Sequence, residues 1–105
     1  MIELNKIYNE DCLEGMKRIP DGSVDCVICD LPYGTTACAW DSVIPIDVLW
    51  GEYNRIVKPT GAIVLTCTQP FTSMLVMSNA KKYRHHLYFS NEQIHHELYQ
   101  TFQYL

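Results

Sequence analysis

The sequence predicts an α/β fold in which parallel strands are joined by a helix. Two apolar runs rich in β-branched residues, 24–29 and 62–67, have the composition of strands buried on both faces. An amphipathic segment over 46–57 lies between them. Strand, helix and strand in this order form the crossover unit of a parallel sheet, which places the carboxyl ends of both strands at one edge.

The first thirty residues supply the elements that precede the crossover. Residues 2–7 predict a short extended segment. Asp11 has the chemistry of a helix N-cap, with a glutamate three residues on, and the apolar spacing that follows predicts a helix over 11–19. Pro20 ends that pattern, and the turn residues after it lead into the first buried strand.

The remaining segments predict one functional loop and further regular structure. A loop of about fifteen residues, 31–45, is long for a compact domain, and such loops are commonly functional. The second strand leads into a helix over 71–82, with Pro70 at its start, and a third strand over 83–89. Residues 90–105 carry apolar side chains at helical spacing.

Length, charge and cysteine usage exclude several classes of protein. A chain of 105 residues with 48% hydrophobic and 19% charged residues is one domain, neither disordered nor fibrous. The net charge of −4 has the wrong sign for a module that holds nucleic acid by counterion release alone. Because the sequence shows no signal peptide, no membrane span and no disulfide spacing, we expect a cytoplasmic protein without a membrane partner.

The most informative motif, Asp30-Leu31-Pro32-Tyr33, follows the first buried strand directly. A planar exocyclic amine can donate one hydrogen to the Asp30 carboxylate and the other to the Leu31 carbonyl, while Tyr33 stacks on the attached ring. The motif therefore predicts a pocket for an amino-substituted heterocycle. In the alternative interpretation Asp30 only caps the loop and Tyr33 only packs, and the tetrapeptide by itself does not decide between the two.

Several further blocks, spaced in register with this motif, resemble the N-terminal region of amino-directed DNA methyltransferases. The blocks are Ile7–Glu14, Ile19–Asp25, Asp30–Gly34, Trp40-Asp41, Tyr53–Lys58, Gly61–Leu65 and Gln69–Phe71. Such enzymes move a methyl group from S-adenosylmethionine (AdoMet) to adenine N6 or cytosine N4, and they carry a D/S/N-P-P-Y motif. The resemblance is to the arrangement in which that motif comes first, of the phage or restriction–modification type. It implies a catalytic-motif portion over 1–84 and a divergent tail over 85–105.

The resemblance implies roles for the matching residues. Asp30 is expected to accept a hydrogen bond from the target amino group, the Leu31 carbonyl to take the second hydrogen, and Tyr33 to stack on a base flipped out of double-stranded DNA. Asp at the first position favours adenine. Leu31 replaces the commoner proline, but the role belongs to its backbone carbonyl. Asp11 resembles the acidic position near the adenine of AdoMet, and its interpretation as a plain N-cap stays equally open.

Part of the family pattern is missing. None of the five glycines forms a G-x-G turn, and the family's F-x-G-x-G motif and target-recognition region do not follow. We therefore expect a partial Rossmann-like methyltransferase sheet, truncated, with an incomplete AdoMet site and no activity alone.

The same residues also allow two other functions and raise the question of a metal site. The main alternative is a catalytically dead remnant that binds a partner or DNA, or forms a homodimer through its exposed sheet edge. Methylation of a protein amide fits less well, because Asn is usual where this chain has Asp30. No metal site is expected, since the two pairs of adjacent histidines lack the ligand spacing of a tetrahedral zinc site.

Overall fold

The computed structural model describes residues 2–32, 44–90 and 95–103, with side chains over 2–32 and 44–85. Helices and strands alternate from α1 to β3, and the α/β class is confirmed. The elements are α1 Cys12–Met16, β1 Val24–Asp30, α2 Ile46–Ile56, β2 Val57–Thr66, α3 Phe71–Ser78, β3 Tyr83–Ser90 and β4 His95–Gln103. Within the described ranges, no helix has both the length and the apolar character needed to cross a bilayer.

The sheet has the strand order β1-β2-β4-β3. β1 and β2 are adjacent and parallel, in register from Cys26 opposite Ala62 to Asp30 opposite Thr66. This pairing confirms the crossover predicted from the two apolar runs and the helix between them. β4 is antiparallel to both β2 and β3, so the sheet is mixed.

The helical pattern expected over 90–105 is wrong, because residues 95–103 form strand β4. Leu98 and Phe102 are four positions apart, and that interval keeps two residues on one side of a strand as well as of a helix. Pairing with β2 on one side and β3 on the other fixes the extended form. The boundary proposed at residue 84 stays a prediction.

Two helices are shorter than predicted. α1 ends at Met16, and the amides of Lys17, Arg18 and Ile19 bond to carbonyls three residues back, which tightens the chain before Pro20. α3 ends at Ser78 rather than at residue 82. Local spacing predicted where these helices begin more accurately than where they end.

The extended segment expected over residues 2–7 forms no strand. Leu4 and Ile7 are exposed, with 84% and 96% of their surface accessible. The segment is instead closed into a loop by Tyr8, whose hydroxyl donates to the Glu3 carbonyl at 3.0 Å and accepts from the Glu3 amide at 2.8 Å. The Tyr8 ring also contacts the cationic groups of Lys6 and Arg18.

The expectation that both faces of β1 are buried is also wrong. Ile28 is 76% exposed, whereas Ile63 and Leu65 of β2 are 0% exposed. The helices therefore cover one side of the β1–β2 pair, and the other side is open. The core consists of Met16, Leu31, Leu49, Trp50, Tyr53, Ile56, Val57, Ile63, Leu65, Cys67, Phe71 and Leu75.

β2 begins at Val57 directly after α2, without a loop between them. The register shifts between Val24 and Cys26, so the pairing of β1 with the start of β2 is irregular. A Cβ atom on Gly61 would lie 2.9 Å from the carbonyl oxygen of Asp25 on β1. Glycine therefore allows the close approach that brings the two strands back into register.

Candidate functional site

The carboxyl ends of β1 and β2 form one edge of the sheet, which we call the rim. Asp30 is the last residue of β1 and is exposed, and Thr66 is the last residue of β2 and lies opposite it. The Thr66 hydroxyl donates a hydrogen bond to Asp30 Oδ1 at 2.5 Å. A carboxylate has about four acceptor positions, so Asp30 keeps acceptor capacity toward solvent or a ligand.

Leu31 and Pro32 continue the predicted motif beyond the rim. Leu31 is 3% exposed and belongs to the core, so its side chain anchors the chain where it leaves β1. The leucine side chain at this position therefore packs into the core. Its presence in place of proline does not alter the backbone carbonyl. Pro32 is half-buried. Tyr33 and most of the loop predicted over 31–45 lie outside the described residues, and the stacking role of Tyr33 stays a prediction.

Asp11 is the N-cap of α1. Its Oδ1 accepts from the amides of Leu13 at 2.8 Å and of Glu14 at 3.4 Å, which satisfies two free donors of the first turn. The Glu14 carboxylate pairs with Lys17 at 3.0 Å. The N-cap interpretation is confirmed, and the role of Asp11 beside AdoMet stays a prediction.

Two cysteines lie close together, Cys12 at the start of α1 and Cys29 near the end of β1. Burial raises the pKa of the Cys12 thiol, and the nearby Asp11 and Cys29 raise it further. Burial also raises the pKa of Cys29, with a smaller contribution from the adjacent Asp30. The two thiols are therefore close enough to interact, and Asp11 and Asp30 flank the same cluster.

Tyr53 on α2 completes this cluster beneath the rim. It is 4% exposed, and its phenol lies close to the Cys29 thiol. Burial is the main cause that raises the pKa of Tyr53, followed by Cys29. Both thiols and the phenol stay protonated at neutral pH, so this cluster supports the end of β1 and supplies no nucleophile.

Sequence reasoning missed Thr66, and it named Gln69 as part of the block Gln69–Phe71 without assigning it a role. Gln69 Oε1 accepts from the amide of Ser73 at 3.1 Å and from its hydroxyl at 2.8 Å, and so caps the first turn of α3. Their position in the sequence could have indicated them, because each residue stands at or just beyond the end of an apolar strand. Thr66 required the register as well, since only the pairing of β1 with β2 sets it beside Asp30.

A basic cluster, Lys81-Lys82-Tyr83-Arg84, lies between the end of α3 and the first residues of β3. Arg84 donates to the backbone carbonyls of Lys81 and Tyr83, and burial lowers the pKa of Lys82. β3 runs in the same direction as β2, so this cluster at its start lies away from the rim. The cluster is therefore no part of the Asp30 site.

Comparison with known proteins relates the chain to one enzyme class. No family model matches it. Over 73 residues it is 30% identical to the type II methyltransferase M.BamHI of Bacillus amyloliquefaciens, and the match covers 60% of this chain and 17% of that protein. The chain thus spans less than a fifth of the length of this curated relative. The similarity supports a relationship to a type II DNA methyltransferase over part of its length.

Proposed function

We propose that this chain is part of a site-specific DNA methyltransferase that methylates adenine N6 with AdoMet as the methyl donor. The observation that carries the proposal is the Asp30 carboxylate at the rim, held by Thr66 and open to solvent. The similarity to a type II methyltransferase supports the same reaction class. Double-stranded DNA is the proposed partner, with the target adenine flipped out of the stack.

The proposed chemistry uses hydrogen-bond acceptors and needs no covalent enzyme intermediate. Asp30 accepts one hydrogen of the exocyclic amine, and the backbone carbonyl of Leu31 accepts the other. These two bonds orient the nitrogen and direct its lone pair away from the rim toward the methyl donor. Cys12 and Cys29 take no part, because their raised pKa values keep them protonated.

The described residues fit AdoMet only in part. AdoMet supplies an activated methyl group when it is bound. Asp11 is close to Cys12, at the other end of the cluster from Asp30, and its Oδ1 already caps α1. Gly15 and Gly51 lie in helices and Gly61 lies in β2, so none of these three glycines forms a loop at the rim. The described residues therefore do not form a complete AdoMet site by themselves.

The first test is the chain by itself. We expect isothermal titration with AdoMet to give no saturable heat at micromolar concentration. We expect radiolabelled methyl transfer to adenine-containing duplexes to stay at background, because the residues that the structure describes do not hold a methyl donor within roughly 3–3.5 Å of the amine. Methylation by the isolated chain that Asp30→Ala removes would contradict the incomplete cofactor site.

The second test supplies the missing parts in a second chain. The relative is expressed without its matched 73-residue segment, alone or together with this chain. We expect methyl transfer only when both are present, and we expect its loss with Asp30→Ala. Asp25→Ala is the matched control, because Asp25 is an exposed aspartate of the same strand that pairs with Lys58 at 2.8 Å. If Asp30→Ala keeps as much activity as Asp25→Ala, Asp30 has no part in the mechanism.

A second candidate function is a binding remnant that self-associates. It is favoured by β1, which is an edge strand with Ile28 76% exposed. Size-exclusion chromatography with light scattering tests it, and a concentration-dependent dimer is the expected result. A monomer that persists at high concentration would contradict this candidate and leave the methyltransferase proposal untouched.

A further inference from the structure

We propose that Thr66 is the positioning residue for Asp30, and that it fixes one carboxylate oxygen so that the other faces the target amine. The inference rests on the proposed function, in which Asp30 receives that amine. Thr66 itself makes no contact with substrate in this role. It acts through the hydrogen bond from its hydroxyl to Asp30 Oδ1.

The backbone of Asp30 is already held on both sides. Cys29 before it is half-buried beside the Tyr53 phenol, and Leu31 after it is 3% exposed and packed in the core. The side chain of Asp30 projects from the opposite side of β1 and is exposed. Rotation about its χ1 angle is therefore the main freedom left to this carboxylate.

Thr66 can remove that freedom because it is itself firmly placed. Leu65 before it and Cys67 after it are both 0% exposed, so the end of β2 is anchored in the core. Threonine is branched at Cβ, which restricts its χ1 angle. The parallel register sets it directly opposite Asp30. Among the described residues, the hydroxyl of Thr66 is the hydrogen-bond donor that the structure shows on this carboxylate.

The geometric demand of methyl transfer makes this placement matter. Groups that orient a reacting atom need to stay within about 0.5 Å and 10–20° of the productive geometry. An exposed aspartate that exchanges between rotamers does not meet that demand. The Thr66 hydroxyl donates to Oδ1 of Asp30, which leaves Oδ2 of Asp30 to accept from the amine.

The test measures the Asp30 side-chain rotamer in the full chain by NMR, from the three-bond couplings between its Hα and Hβ atoms. We expect one rotamer in the natural chain, rotamer averaging in Thr66→Val and a single rotamer again in Thr66→Ser. Thr60→Val is the matched control, because Thr60 is an exposed residue of the same strand. Thr66→Ala replaces Thr66→Val if the latter does not fold. A single unchanged rotamer in Thr66→Val or Thr66→Ala, or averaging in Thr66→Ser, would overturn the inference.

The two-chain methylation assay adds a functional measurement. We expect Thr66→Val to lower kcat about tenfold with an unchanged KM for DNA, because a misplaced group can cost up to about 100-fold in rate. Thr66→Ser should keep most of the activity. Activity that survives Thr66→Val but not Asp30→Ala would overturn the role of Thr66 and retain the proposed function. Activity that survives Asp30→Ala would overturn the proposed function, and the role of Thr66 with it, even where the rotamer measurement shows that Thr66 fixes the side chain.

Discussion

The two faces of the β1–β2 pair differ in what they contact. The covered face, which carries Cys29, Ile63 and Leu65, packs toward the helices, and its β2 residues are 0% exposed. The open face carries Ile28, 76% exposed, and the Asp30–Thr66 pair. Apolar burial supplies most of the stability of a small domain, so the covered face holds the fold. The open face leaves polar groups accessible at the rim, where we propose that the chemistry takes place.

Truncating a side chain on each face gives the largest contrast. We expect Leu65→Ala to lower the free energy of unfolding by about 2–5 kcal/mol, because it leaves a cavity in the core. Ile28→Ala should change it by no more than about 0.5 kcal/mol, because this side chain is already in water. Urea unfolding measures both values. Equal losses would mean that the open face is covered in solution.

The register between β1 and β2 determines which side chains lie on each face, and this register depends on the absence of a side chain at Gly61. A slip of one residue would exchange the faces of β2. We expect Gly61→Ala to cost about 1–3 kcal/mol of unfolding free energy, because its Cβ would lie 2.9 Å from the Asp25 carbonyl oxygen. Gly51→Ala is the control, since Gly51 lies within α2 with open space around it, and alanine there should stabilise by about 0.5–1 kcal/mol. Destabilisation by both variants would contradict this account.

The covered face also contains the Tyr53 phenol beside the Cys29 thiol, where a smaller effect is expected. We expect Tyr53→Phe to change the unfolding free energy by no more than about 1 kcal/mol at neutral pH, because it removes only the hydroxyl. Folding raises the pKa of both groups, so the folded chain keeps protons that the unfolded chain releases above pH about 8.5 for Cys and about 10 for Tyr. Their contribution is therefore complete below that range and is lost as the pH rises. Chemical unfolding at several pH values should show the decline, and Tyr53→Phe should flatten its part above pH about 10.

Thiol labelling distinguishes the two faces without changing stability. Cys26 is exposed on the open face, whereas Cys29 is half-buried on the covered face with a raised pKa. We expect iodoacetamide to label Cys26 first and Cys29 more slowly, because only the thiolate reacts. Peptide mapping by mass spectrometry measures the two rates, with Cys26→Ser and Cys29→Ser as assignment controls. Faster labelling of Cys29 would reverse the assignment of the faces.

Much of the site was predictable because its elements are encoded locally. The apolar run predicted β1 to within one residue and the amphipathic segment predicted α2 to within one residue, whereas β2 begins five residues before its predicted start. Asp11 was recognisable as an N-cap from its own chemistry and that of the turn after it. The placement of Asp30 at a strand end also followed from composition. Each of these features depends on interactions within a few positions of the chain.

Local interactions determined some features of this protein, and contacts between distant segments determined the others. The sequence by itself determined the α/β class, the β1–α2–β2 crossover and the position of the Asp30 motif, because hydrophobic periodicity and capping act over short separations. Only the tertiary structure decided that residues 95–103 form a strand between β2 and β3, that one face of β1 is open, and that Thr66 donates to Asp30. The physical reason is that strand pairing, face coverage and cross-strand hydrogen bonds join residues far apart in sequence, where local propensity carries no information about the partner.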